Sequence, residues 1–469
     1  MAAHYIEAMI TGINEFGGKG DGCTDNSEAF AAAIASLRRA GGGTLEVPQG
    51  TYLTGPIELF SDIALKIERG AVLRFLPDIG LYVPVLTRWE GITCFGMHPL
   101  IFARDAHGIA LKGEGLIDGN GQPWWEALRR KKSAGQRSPI EPIEKILADY
   151  NSFLSDQPSG GGGREMQFLR PPLVQFFRCS NVIIEGLKFA NSPFWTIHPV
   201  FSEHIRIEHV TVENPPDAPN TDGIDIDSCV DVTVTDSLVD VGDDCIAIKA
   251  GSGARGLREG KESRGITIRG CHFKQGHGGV VVGSETAGGI HDVTVSQCTF
   301  EGTDRGVRIK TRRGRGGTVS NLHFSDLAME GVLCPVAINM YYRCGAKPEE
   351  KPSLFSLNPQ PISTLTPHLR DIEICNLQAR ACRSSAGFIA GLPESPIEGL
   401  SMQHCSIELA PEALASVSEC EMFEGIPDTE HRSIRVRHAH CQFRDVQVQG
   451  LQRGENPFLL EEGAQVTQE

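Results

Sequence analysis

Four short segments carry the residues best suited to chemistry: Asn220-Thr221-Asp222, Gly242-Asp243-Asp244, Gly276-His277-Gly278 and Arg308-Ile309-Lys310. Each stands before or within a run of alternating apolar residues, and the runs can be laid over one another. Ile224, Ile246, Val280 and Val307 then form one line, and Ile226, Ile248, Val282 and Ile309 the next. If those lines face a core, alternation turns Asp225, Ala247, Val281 and Arg308 outward, with Lys310 further along its strand. The turns before the strands bring Asp222 level with Asp244, and Asp243 level with His277. Carboxylates gathered in this way suit acetal hydrolysis, where an acid protonates the leaving oxygen and a carboxylate activates water. Inverting chemistry sets the two carboxyl groups roughly 6.5–9.5 Å apart, a gap that adjacent coils can provide. Three aspartates in one cleft compete for ionisation, so at least one keeps its proton near neutrality and serves as the acid.

Taken singly, these segments mean little. Paired aspartates are ordinary in turns, and a histidine between glycines is an ordinary surface residue. The order of the four signals, one per repeat, carries the reading. Trp195 and His198 lie one repeat earlier. His198 falls on the outward line of Asp225 and Arg308, where it could bind a sugar hydroxyl; Trp195 fits a stacking surface and a core equally well.

The elements that must hold these groups repeat. Short alternating strands recur roughly every 20 to 33 residues: Asn181-Val-Ile-Ile-Glu, His204-Ile-Arg-Ile-Glu, Asp231-Val-Thr-Val-Thr, Gly265-Ile-Thr-Ile-Arg and Asp292-Val-Thr-Val-Ser. Each is followed by a second strand, which predicts a stacked parallel coil. The chain is therefore expected to be all-β, a right-handed parallel β-helix forming one domain over residues 1–469. Residues 17–50 read as an N-terminal cap region. Within it Asp25 or Asn26 caps a helix over Ser27 to Arg39 that covers the open end of the core. Residues 127–170 read as an insertion near the cleft with one helix and a Gly160–Gly163 run, and residues 411–469 as an irregular C-terminal part.

The net charge of -15 argues against nucleic acid as a partner. It also demands a local basic cluster if the partner is an acidic polysaccharide. Arg305, Arg308, Lys310, Arg312, Arg313 and Arg315 supply one, and Arg308 and Lys310 fall beside the aspartates, where they could bind a sugar carboxylate. The 14 cysteines contain no metal-type pair and read as small buried hydrophobes. Cys271, Cys298, Cys375, Cys405 and Cys441 recur in what looks like one stacked slot. Residues Met1 to Glu15 lack a leader pattern and no run is long enough to span a membrane. The expected location is cytoplasmic, or periplasmic or secreted if a leader has been removed. No membrane partner, metal or organic cofactor is expected, and the oligomeric state is left open.

At its four signal turns the chain resembles the polygalacturonases, glycoside hydrolase family 28, and is closest in pattern to bacterial exo-acting members. The likeness extends to Phe16-Gly-Gly-Lys-Gly-Asp-Gly-Cys-Thr-Asp25, Gly50-Thr-Tyr-Leu-Thr-Gly-Pro56 and Asp118-Gly-Asn-Gly-Gln-Pro-Trp-Trp125. It implies cleavage of α-1,4-galacturonosyl linkages in galacturonan by inverting hydrolysis. It also implies Asp243 as general acid, Asp222 and Asp244 as activators of water, and His277 as the group that tunes them. Asn220, His198, Arg308 and Lys310 become substrate-binding candidates, with a tyrosine one coil later. Tyr341 and Tyr342 are adjacent, and Tyr342 is taken as the one facing the cleft. The insertion between Trp125 and Arg170 departs from endo-acting members and would restrict the groove to chain ends. Alternatives on the same scaffold are a rhamnogalacturonan or xylogalacturonan hydrolase, a calcium-dependent pectate lyase, and a carbohydrate-binding β-helix without activity.

Overall fold

Asn181, His204, Asp231, Gly265 and Asp292 each open a repeat, and each has left-handed backbone, with φ of 53°, 56°, 58°, 66° and 57°. Glycine adopts that bend freely, and Asn, Asp and His tolerate it better than other residues. The bend recurs once per coil and lets the strands behind it pair in parallel, so that Val182, Ile205, Val232, Ile266 and Val293 form one ladder. The structure, a computed structural model, describes residues 9–135, 140–154, 170–413, 415–417 and 421–469.

Strands of successive coils build two long parallel sheets, and with the right-handed crossovers that parallel strands require the chain is a right-handed parallel β-helix. One sheet, of 12 strands, runs from Ile57–Leu59 to Phe458–Leu460 and carries all four signal segments. In it Ile224, Ile246, Val280, Val307 and Val336 stack in one line, and Ile226, Ile248, Val282, Ile309 and Ile338 in the next. All ten are 0% exposed. Each contributes about 1.5–3 kcal/mol by leaving water, and the shared ladder locks the register on which the site depends.

The helix Ser27–Ala40 buries Phe30, Ala33, Ile34 and Leu37 against the first coils. Asn26 stands at the N-cap, its carbonyl accepting from Phe30 N at 2.9 Å, but its side-chain amide donates to Thr24 O and Leu53 O, and it is Asp25 Oδ1 that accepts from the Ser27 N–H at 2.9 Å.

The segment after residue 411, expected to be irregular, instead prolongs both sheets with Ile434–Arg437, Ala439–Gln449, Phe458–Leu460 and Gln465–Gln468. Its outward row carries Arg435 and Arg437, paired with Glu461 and Glu462, and those charges hide the alternation in the sequence. The cysteine slot is also corrected. Cys271, Cys298 and Cys405 share one row with Leu327 and Leu377. Cys375 pairs with Gln403 and Cys441 with Leu400. The row is set by the residue that follows a left-handed bend, as at Gly270, Gln297 and His404. Cys375 precedes its bend residue, Asn376, and so falls two places away.

In the insertion the described residues hold two α-helices, Gln122–Ser133 and Pro142–Tyr150, and a short 3-10 turn at Ser152–Leu154; Gly160–Gly163 lie outside the described residues. The strands Pro84–Trp89 and Ile92–Met97 leave the coil altogether and pair antiparallel. Their turn is Glu90-Gly91, with φ of 42° and 78°, the two-residue geometry that suits strand twist. The second helix packs on this hairpin, and Asn151 ties to it by accepting from Phe95 N at 2.8 Å and donating to Phe95 O at 2.7 Å. Among the described residues no helix is long and apolar enough to cross a membrane.

Candidate active site

The glycines of the signal turns are there because backbone must pass close. A Cβ on Gly276, which has φ of 74°, would stand 2.5 Å from the Asp243 carbonyl oxygen, and one on Gly223 would stand 2.4 Å from that of Cys245. His277 N donates to Asp243 O at 3.0 Å and Gly223 N to Asp244 O at 2.9 Å. These contacts bind neighbouring coils directly under the carboxylates.

The result is a cleft of about 310 Å³ on the outer face of the 12-stranded sheet. Asp222, Asp243 and Asp244 line it, and one oxygen from each lies within 4.8 Å of the others. That is tighter than the 6.5–9.5 Å carboxyl spacing expected for an acid and base on opposite faces of a sugar. Asp222 and Asp244 form the buried floor, and Asp243 is half-buried beside them. Arg308 Nη1 donates to Asp244 Oδ1 at 3.1 Å and Lys310 Nζ to Asp244 Oδ2 at 2.6 Å.

These surroundings divide the aspartates. Burial, then Asp243 and Asp225, push the Asp222 carboxyl well above the usual carboxylate range. Burial acts the same way on Asp244, but Lys310, Arg308 and Lys249 overcome it and hold Asp244 below that range. The His277 imidazole is raised above its ordinary value, first by the hydrogen bond from its Nδ1 to Asp304 Oδ2 at 2.9 Å and then by Asp243 and Asp244, against an opposing effect of burial. A cation held by the three carboxylates would meet Lys310, Arg308 and Lys249, which already supply positive charge there.

Asn220 lines the cleft and accepts from Arg170 Nη2 at 2.8 Å. Tyr342 lines it too, with Lys310 Nζ 5.1 Å and Arg308 Cζ 5.6 Å from its ring centroid. Tyr341 is fully buried and packs against Arg313.

His198 does not reach the cleft. It keeps the outward row, but the hairpin covers that row: Gln175, hydrogen-bonded to His198 Nδ1 at 2.8 Å, also binds Thr87, and Asp227 pairs with Arg88 at 3.0 Å. Strand alternation within the coil carries no trace of a cover contributed by residues 84–97. The basic cluster splits for a similar reason. Arg305 pairs with Glu421 and Arg313 with Glu394, and Arg312 is buried away from the site. Only Arg308, Lys310 and Arg315 of that cluster line the cleft.

Several lining groups were not singled out from the sequence. Lys249 sits 3.5 Å from Asp225 and 3.4 Å from Glu285, with its Nζ 4.6 Å from the Trp195 ring centroid. Its position pairs with Asp227 across one coil boundary, so the repeat alignment already put it in the Lys310 row. Glu285 and Glu90 line the end of the cleft beneath the hairpin. The far end is bounded by Met422, whose carbonyl accepts from Arg343 N at 2.9 Å. A larger open groove of about 840 Å³ is lined by Arg178, Glu203, Glu259, Lys261 and Glu262 among others, but among the described residues the close cluster of three carboxylates is that of Asp222, Asp243 and Asp244.

The sequence profile of Glycosyl hydrolases family 28 matches residues 161–385. A solved structure, the exopolygalacturonase of Thermotoga maritima, is 31% identical with a TM-score of 0.78, covering 94% of this chain and 92% of its own. The chain belongs to glycosyl hydrolases family 28. A probable polygalacturonase of Vitis vinifera is 29% identical over 91% of this chain and 79% of its own. The family 28 exopolygalacturonase of Yersinia enterocolitica, at 22% identity, shares the fold with a TM-score of 0.71 over 98% of this chain and 78% of its own. The protein is thus a glycoside hydrolase of family 28, and the cleft just described has the acid and base groups that glycoside hydrolysis needs.

Proposed function

We propose that this glycoside hydrolase cleaves α-1,4-linked galacturonan by inverting hydrolysis and removes units from the non-reducing end. The observation that carries the reading is the meeting of three aspartates with Arg308 and Lys310 in one cleft. An all-acidic floor would repel a polyuronate, whereas these cations offset it where a sugar carboxylate must lie.

Asp244, held ionised by its two cations, is the base that takes a proton from water. Asp222, whose buried carboxyl keeps its proton, orients that water from the neighbouring coil. Asp243 faces the open cleft, has no ion pair among the described residues, and protonates the glycosidic oxygen. The short reach between the aspartates fits this division, because Asp222 and Asp244 share one water and only Asp243 must reach the leaving group. His277, hydrogen-bonded to Asp304, sets the charge beside Asp243. Arg308 and Lys310 hold the carboxylate on the leaving-group side, and Tyr342 packs against both cations. Asn220, fixed by Arg170, is a substrate hydroxyl partner.

The exo reading rests on the hairpin. It is anchored on the coil of Asp222 itself by Arg88 to Asp227 at 3.0 Å, and on the coil before by Trp89 stacked on Phe194 at 4.1 Å between centroids. That side lies away from Arg308 and Lys310, so the groove ends at the non-reducing side. Incubation with polygalacturonic acid tests the whole reading. Monogalacturonate as the sole early product is expected; a ladder of oligomers would overturn exo action, and unsaturated product would overturn hydrolysis.

A further inference from the structure

Glu90 is half-buried at the tip of the hairpin, at the closed end of the cleft. Its backbone is left-handed at φ 42°, a conformation uncommon for glutamate. The tip is fixed as well as strained. Ser252 N donates to Gly91 O at 2.9 Å, and a Cβ on Gly91 would stand 2.6 Å from Glu285 Cγ. Trp89 and Arg88, on the strand leading to the tip, are locked by the stacking and ion-pair contacts already described. A backbone held this firmly leaves only the Glu90 side-chain torsions to be ordered on binding a ligand.

Among the described residues the Glu90 carboxylate has no hydrogen bond or ion pair. Other acids at this end are engaged: Glu285 pairs with Lys249 at 3.4 Å and Asp225 with Lys249 at 3.5 Å. Burial, then Glu285, push the Glu90 carboxyl up to about 7, so it is a desolvated acceptor or donor waiting for a polar partner. A galacturonan offers one group at this end that no internal residue has, the free 4-hydroxyl of the terminal sugar.

We infer that Glu90 is the residue that reads the chain end, hydrogen-bonding the 4-hydroxyl of the non-reducing galacturonate and rejecting chains that continue past it. The inference rests on the exo reading above and names its specificity determinant. Glu90 touches neither the scissile bond nor the attacking water.

The test compares saturated trigalacturonate with a trimer whose non-reducing residue is 4,5-unsaturated and lacks that hydroxyl. Wild-type enzyme should prefer the saturated trimer in kcat/KM by roughly 10- to 100-fold, the worth of a hydrogen bond to a charged group. In Glu90→Ala the preference should collapse towards one, through a loss on the saturated trimer alone. The isosteric Glu90→Gln should fall between them with an unchanged melting temperature. An unchanged preference in both variants, with the wild type still releasing only monomer from the polymer, would overturn the role of Glu90 while leaving the exo reading standing. Internal oligomers from the wild type would overturn both.

Discussion

Lys310 Nζ and Asp244 Oδ2 lie 2.6 Å apart although both residues are buried. They come from strands two coils apart and meet because the 278–283 strand between them puts Gly283 in the row of Lys310 and Gly278 in that of Asp244. A Cβ on Gly278 would stand 3.2 Å from Arg308 Cδ, and one on Gly283 only 2.1 Å from the Lys310 carbonyl oxygen, so both places need glycine for the cations' strand to lie as it does. The pair holds Asp244 ionised, which a base requires.

Removing the cation should therefore move a titration. Asp244 is depressed in the native protein, so it stays charged until pH falls below its lowered value. In Lys310→Met that value rises, and activity should be kept at higher pH and lost earlier as pH falls. The acid limb of the kcat/KM profile should move up by about 1 pH unit or more. A rise in KM with an unmoved limb would make Lys310 a substrate-binding group only.

On the proposed assignment the other limb belongs to His277. Its value is raised by Asp304, so the imidazolium persists to higher pH and is lost as pH rises through that raised value. Asp304→Asn removes the main cause, and the basic limb should shift to lower pH. A basic limb that stays in place would show that His277 does not set it.

Asp243→Asn keeps the shape of the side chain and removes the transferable proton. Turnover should fall by about 10²–10⁴-fold or more, with an unchanged melting temperature. Near wild-type turnover would pass the role of acid to Asp222, whose raised carboxyl is the competing donor in this cleft.

The hairpin anchor has a stability signature. Arg88 is 1% exposed and pairs with Asp227 at 3.0 Å and Glu259 at 3.0 Å. Arg88→Ala leaves Asp227 charged, buried and 3.7 Å from a histidine whose own charge burial disfavours. Chemical denaturation should report a loss of about 3–5 kcal/mol. Adding Asp227→Asn should recover part of it, and a double variant no better than the single would contradict the pairing.

Much of this was legible in the sequence because a solenoid turns register into geometry. Once Ile224, Ile246, Val280 and Val307 are aligned, Asp222 must neighbour Asp244, and Arg308 must share a face with them. The alignment also held Lys249, two coils before Lys310 in the same row, although the lysine stands outside the four signal turns. What failed was whatever comes from outside the coil. His198 keeps its row yet is covered by the hairpin. That hairpin has its own signal, Glu90-Gly91 between two alternating runs, which reads as a two-residue turn, but alternating runs of this kind are also what a further pair of coil strands would show. The cysteine slot failed for a local reason: similar residues follow each cysteine, but the left-handed bend, not the cysteine, sets the row.

The most direct test of the central claim is proton NMR of polygalacturonic acid during the first minutes of hydrolysis, before anomers equilibrate. Inversion at an α-linkage should deliver free β-galacturonate first, with no vinyl signal from an unsaturated sugar. The α-anomer appearing first would contradict the assignment of Asp244 and Asp222 to an attacking water, and a vinyl signal would contradict hydrolysis itself.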